Sequence, residues 1–270
     1  MDLGTVTSYR LAQRRADLAL GPGETLVAGG TWVFSEPQPQ VSGLVDLAAL
    51  GWPPVERLPD GGLRVAATCP IATLADHEAA PASGLFRTAA DALLMSFKIQ
   101  QVATVGGNIC LALPAGAMIS LFAGLGADAV IWTPGGGERR EPVARFVLGV
   151  QRTTLLPGEV LRGVEVSAAA LALPVAFRKI ALTEQGRSSS VVLGVLTDAG
   201  PRVTVTAATP RPVVLGAGGE VDDPRGLDAV PELCGWYDDP HGPPDWRAAV
   251  TAVLVDEVLA ELEAPAGAAA

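Results

Sequence analysis

The sequence predicts an α+β protein: two small α+β units followed by a third unit built on an antiparallel sheet. Three observations predict it. Short apolar strands alternate with helical patterns in the first part of the chain. Glycine pairs follow apolar runs at two separate places, as turns that must bend sharply or admit a ligand. Beyond Pro174, three β-type runs are separated by turn signals and followed by one long amphipathic helix. The divisions expected are residues 1–167, split at about residue 54, and residues 174–270.

In chain order, residues 12–20 read as a short amphipathic helix closed by Gly21, Pro22 and Gly23. Residues 25–28 and 41–47 read as strands, so a βαβ-like unit comes first. Residues 63–67 form a strand after the Asp60-Gly61-Gly62 turn. Helices are expected at 71–77 and 84–96, a loop around Gly106-Gly107 at 102–110, a helix at 117–125 and a strand at 129–132. Pro134-Gly135-Gly136-Gly137 reads as a hairpin turn, and residues 160–166 as the closing strand. An alanine-rich connector, 167–173, leads to strands at 176–182, 190–197 and 202–208. A helix over 246–262 carries Val250, Val253, Leu254 and Val258 on one face, and residues 264–270 are a fraying tail.

Composition narrows the function. Of 270 residues, 49% are apolar and 18% charged, which suits a folded core. Twenty-nine acidic against nineteen basic residues give a net charge of −10, the wrong sign for a generic nucleic-acid or anionic-membrane binder. Apolar runs are broken well before spanning length, so no membrane insertion is expected. Cys69, Cys110 and Cys234 are scattered, and His77 and His241 are the only histidines. That set does not furnish an iron–sulfur or zinc site, so no metal is expected and the protein reads as cytoplasmic with reduced thiols.

Two segments carry chemistry. Leu26-Val27-Ala28-Gly29-Gly30-Thr31 is a strand running into a Gly-Gly-Thr turn, and Ala103-Thr104-Val105-Gly106-Gly107-Asn108-Ile109 joins a hydroxyl, two glycines and an amide. Glycines let a ligand approach the backbone, where neutral N–H groups can hold an anion without a basic patch. Neither segment is a G-x-G-x-x-G or Walker A loop. A plain tight turn after a strand is the alternative reading of the first.

In order and setting, these segments resemble the FAD-binding medium subunit of the molybdenum hydroxylases, the family of xanthine dehydrogenase and carbon monoxide dehydrogenase flavoproteins. The matching pieces are Ala28 to Thr31, Thr104 to Asn108, Pro114 through Leu125-Gly126-Ala127, Arg145 to Gly149, Thr153 to Glu159, Phe177-Arg178-Lys179 and Asp239 to Arg247. They span nearly the whole chain. The resemblance implies a vanillyl-alcohol-oxidase-like (PCMH-type) fold: an FAD-binding domain of two α+β subdomains, then a C-terminal domain with a three-stranded antiparallel sheet. It implies non-covalent FAD, with Ala28, Gly29, Gly30, Thr31 and Trp32 on one side of the diphosphate. Thr104, Gly106, Gly107 and Asn108 lie on the other, Leu155 near the flavin and Lys179 at its polar edge. It also implies iron–sulfur and molybdopterin partner subunits. Members often carry Ser or Asp at Trp32, Arg-Asn at Gln100-Gln101, and a cofactor-contacting carboxylate where Ala117 stands.

Three functions follow: an electron-transfer flavoprotein subunit, a stand-alone FAD-dependent oxidase or dehydrogenase of a small organic substrate, or a non-catalytic homologue that keeps the fold for binding. No catalytic acid or base stands out; Tyr237, His241 and Glu184 are the weak candidates.

Overall fold

The computed structural model describes residues 3–78 and 83–264. Strands β1 (Ser8–Leu11), β2 (Glu24–Val27) and β3 (Gly43–Asp46) form an all-parallel sheet in the order β1-β3-β2. Gly43 is central, where a Cβ would lie 2.4 Å from Ser8 Oγ. The expected helix at 12–20 is only a 3-10 turn, Arg15–Leu18. The Asp17 carboxylate accepts from the backbone N–H groups of Gln13 and Arg14, which curls the chain before a helix can propagate.

Glu24 ties this sheet together. Its carboxylate accepts from Arg10 Nε and Nη2 at 2.8 Å each and from Gly21 N at 2.7 Å. Those bonds, the Arg10 guanidinium foremost, hold its pKa down at about 2. A depressed carboxylate pKa contributes stability above the unfolded value near 4.5, and that contribution is lost as pH falls through about 2. Glu24→Gln should therefore melt below the native chain at pH 7, with the gap closing between pH 4.5 and pH 2. Melting curves of both proteins across that range check it.

The second unit carries β4 (Val55–Arg57), β5 (Leu63–Ala66), α1 (Ile71–Ala75), α2 (Ser83–Ala92), α3 (Phe97–Gln100), α4 (Val105–Leu111) and α5 (Ala117–Gly124). There follow β6 (Asp128–Trp132), β7 (Glu138–Pro142), α6 (Val143–Phe146), β8 (Val147–Gly149), β9 (Arg152–Thr153) and β10 (Val160–Val166). Five strands form an antiparallel sheet, β4-β5-β10-β6-β7, and the 134–137 turn joins β6 to β7 as a hairpin. The helical residues Ile71, Leu74, Phe86, Ile109, Met118 and Phe122 join Val65, Ala129 and Ile131 of the sheet in one core. The first two sheets meet over Trp52 and Trp132, edge to face at 5.2 Å. Arg162 stacks on Trp52 and Arg15 on Trp132.

The last unit carries α7 (Ala168–Ala172), β11 (Val175–Ile180), β12 (Ser190–Thr197), β13 (Gly200–Thr206), β14 (Val213–Gly216), α8 (Val230–Leu233) and α9 (Pro244–Glu263). Its sheet is an antiparallel meander of four strands, one more than expected; β14 follows the Pro210-Arg211-Pro212 turn. Helix α9 covers one face with Thr251, Leu254, Val255, Val258, Leu259 and Leu262. Val253, expected on that stripe, is exposed instead. Gly194 lets Val258 approach β12, since a Cβ there would fall 2.3 Å from its Cγ1. Helix α5, buried along its whole length, crosses the other face, with Gly124 over Leu193. The expected fraying tail lies, beyond Ala264, outside the described residues.

Candidate cofactor site

Strand β2 ends at Val27, and the chain turns through Gly29 and Gly30 into a helical bend over 31–35. Gly30 has φ +68°, the left-handed region that favours glycine, and the exposed Phe34 ring lies where a Cβ would go. Phe34 N donates to Gly30 O at 2.9 Å and closes the bend. Among the described residues, nothing accepts from the five consecutive N–H groups of Gly29, Gly30, Thr31, Trp32 and Val33. Successive donors left unpaired on a glycine turn form an anion cradle. Ala28 and Trp32 flank it, half-buried.

The second segment is not a loop. Thr104 is the N-cap of α4, its Oγ1 accepting from Gly107 N at 3.1 Å. Gly106 N donates to Ala67 O at 2.9 Å. Both glycine N–H groups are therefore satisfied within the chain, and they do not form a second nest. The two glycines have different reasons. Gly106 is buried, and a Cβ would sit 2.4 Å from that of Ala67, so glycine seats the helix on the strand end. Gly107 is exposed, and a Cβ there would meet only Thr104 Oγ1, at 2.9 Å. Asn108 is half-buried; its Oδ1 accepts from Met118 N at 3.1 Å, and its amide –NH₂ donates to no group among the described residues.

The two segments touch. A Cβ on Gly29 would lie 2.0 Å from Val102 O and 3.2 Å from Ala103 Cα, so the first turn lies directly against the approach to Thr104. Leu155 is half-buried against the main core. Its segment is held by Arg139, which donates to both Glu159 oxygens at 2.8 and 2.7 Å and to Thr154 O at 3.0 Å. Arg139 also holds the Glu159 carboxyl below its usual range. Lys179 is exposed on β11, and strand alternation puts it on the same face as Phe177, which packs against the main core rather than under α9. Ala117 is buried at the start of α5, where no carboxylate is available. Sequence reasoning missed Val33, the Val102–Ala103 backbone, Met118 N and Arg139. The signal for the last was Glu159 itself, three residues after Leu156, whose N–H it accepts at 2.9 Å.

Residues 7–168, more than half of the chain, match the family model described as the FAD binding domain in molybdopterin dehydrogenase. The chain belongs to this family. The fold agrees. Carbon monoxide dehydrogenase from Hydrogenophaga pseudoflava, solved in a form lacking the Mo-pyranopterin moiety of the molybdenum cofactor, is 20% identical with a TM-score of 0.80, over 95% of this chain and 97% of that chain. Quinoline 2-oxidoreductase from Pseudomonas putida 86 gives 23% and 0.75, over 94% and 96%. Reconstituted CO dehydrogenase from Oligotropha carboxidovorans gives 20% and 0.81, over 98% and 100%. Comparison with curated protein sequences finds no match.

As a member of the molybdopterin dehydrogenase FAD-binding family, the chain is an FAD-binding oxidoreductase component. Its residues fit that cofactor. The five N–H groups without an acceptor among the described residues suit a diphosphate in a protein of net charge −10, and Gly107 on the adjoining segment is exposed. Among the described residues no helix is long and apolar enough to cross a membrane.

Proposed function

We propose that this chain is the flavoprotein subunit of a molybdenum hydroxylase-type complex, working between iron–sulfur clusters on a partner chain and a terminal acceptor. Residues 1–167 hold the FAD and residues 174–270 form the C-terminal flavoprotein domain. The observation that supports the reading is the close approach of Gly29 to the Val102–Ala103 backbone, which joins the turn with the unpaired N–H groups to the chain that leads into Thr104 and α4. Bound FAD supplies reversible electron exchange.

The chain's own residues bind and orient. The N–H groups of Gly29 to Val33 receive the diphosphate, with Ala28, Thr31 and Trp32 closing around it. Thr104 and Gly106 hold α4 in place, and Gly107 and Asn108 face the cofactor from the other side. Leu155, fixed through Arg139 and Glu159, covers the flavin and keeps water from it. Lys179 supplies positive charge toward the ring's polar edge, where reduction builds negative charge. The scattered free thiols support placing the clusters on a partner: among the described residues no three His, Cys, Asp or Glu side chains gather as a metal site would need. Unpaired cysteines also suit the cytoplasm.

The test is direct. The purified chain should be yellow and release one FAD on acid treatment, and should co-purify with iron–sulfur and molybdopterin subunits when the three are expressed together. A colourless chain with no affinity for added FAD, or one that prefers FMN, sinks the reading. A yellow chain that oxidises a small substrate alone and takes no partner would make it a stand-alone enzyme.

A further inference from the structure

The most elaborate buried polar cluster lies outside the two glycine segments. Arg247, on α9, is 1% exposed. Its Nε donates to Gly242 O at 2.7 Å, its Nη1 to Ser189 O at 2.7 Å and Ala207 O at 2.5 Å, and its Nη2 to the Asp239 carboxylate. One guanidinium therefore fastens the loop before α9 to the start of β12 and the turn after β13. Ala207, at that turn, holds φ +63°, a left-handed conformation costly for a residue with a Cβ. Its carbonyl is held by Arg247, while its N–H donates to Pro114 O at 2.9 Å. The neighbouring Thr206 hydroxyl is hydrogen-bonded to that of Ser120 on α5, at 2.5 Å. The segment so gripped, residues 114–120, includes Met118, whose N–H fixes the Asn108 carboxamide.

We infer that Arg247 is a positioning residue for the cofactor: it locks the Ala207 turn, which holds residues 114–118 so that Asn108 presents its –NH₂ to the FAD. The inference rests on the reading that Asn108 faces FAD. The C-terminal unit then takes part in cofactor binding without touching the glycine segments. Arginine is needed because three carbonyls and a carboxylate must be reached by one rigid fork, which a lysine ammonium cannot do.

A double-mutant cycle on the full chain tests it. FAD is titrated into apo-protein of Arg247→Lys, Asn108→Ala and the double variant, with apo melting recorded beside each. Asp239→Asn replaces Arg247→Lys if the latter does not fold. Arg247→Lys should weaken FAD binding about tenfold, the scale of indirect coupling through a packed network. In the Asn108→Ala background the same change should cost less than about twofold, because the group it acts through is gone. A merely structural role predicts equal losses in both backgrounds, and that result overturns the inference. Normal FAD binding by both Arg247→Lys and Asp239→Asn overturns it too, while leaving Asn108 at the site. Unchanged affinity in Asn108→Ala removes Asn108 from the site and this inference with it.

Discussion

Gly107→Val should weaken FAD binding by roughly 5- to 150-fold while leaving the apo-protein's melting nearly unchanged. The two halves have separate causes. Gly107 lies in the first turn of α4, where valine is a somewhat better helix former than glycine. Its side chain would enter solvent, meeting only the edge of Thr104. The Thr104 cap hydroxyl must give slightly to admit a Cβ, and the better helix propensity of valine offsets that cost, so folding makes only a small demand for glycine at this position. On the proposed function the cofactor approaches from this exposed side, where two methyl groups would displace it at a cost of about 1–3 kcal/mol, which converts to the stated range. FAD titration with apo melting alongside separates the effects. Unchanged affinity would put the cofactor elsewhere, and a collapsed melting temperature would mean that Gly107 serves the fold. Gly30, the other glycine that the sequence offers for this test, does not separate them. Its positive φ strains the turn itself with any side chain, so a change there mixes fold and ligand effects.

Much of this site was legible because its signals are local. Leu26 and Val27 stopped by Gly29-Gly30 read as a strand meeting a tight turn, and the turn is there. Helix α4 was misread for a physical reason: two adjacent glycines are poor helix formers. What overrides them is the Thr104 cap and the seat that Gly106 takes on Ala67, a contact with a residue 39 positions away. The Thr104-x-x-Gly107 capping spacing was the signal available. Strand β1 left no trace, because its residues are mostly exposed and show no alternation. Strand β14 is only four residues long. On α9 the expected stripe was right at Leu254 and Val258, which face inward with Thr251 and Val255, and wrong at Val253, which faces outward. Which glycine packs against a neighbour and which stays exposed was not legible at all. Gly106 and Gly107 are identical in sequence terms, and only the neighbouring strand distinguishes them.

The largest loss of stability is expected at Gly106. Valine there would place its Cβ 2.4 Å from Ala67 Cβ and 2.6 Å from Ala67 Cα. Ala67 cannot retreat cheaply: its N–H donates to Arg162 O at 3.0 Å, and its carbonyl accepts from Gly106 N at 2.9 Å. The helix must lift off the strand end, which breaks that hydrogen bond and the one from Val105 N to Cys69 O at 2.9 Å. Overpacking of this kind, with backbone rather than a flexible tip as the obstacle, costs about 3 kcal/mol or more. For a protein of this size that lowers the melting temperature by roughly 6–12 °C. Gly106→Ala should move the same way by less, since only the Cβ intrudes. Both variants should lose FAD, but here the loss follows instability, the reverse of the Gly107 pattern. Calorimetry of the apo-proteins decides it. If Gly106→Val melts like the native chain, α4 is not seated on Ala67, and Asn108, carried on that helix, is not held where the cofactor needs it.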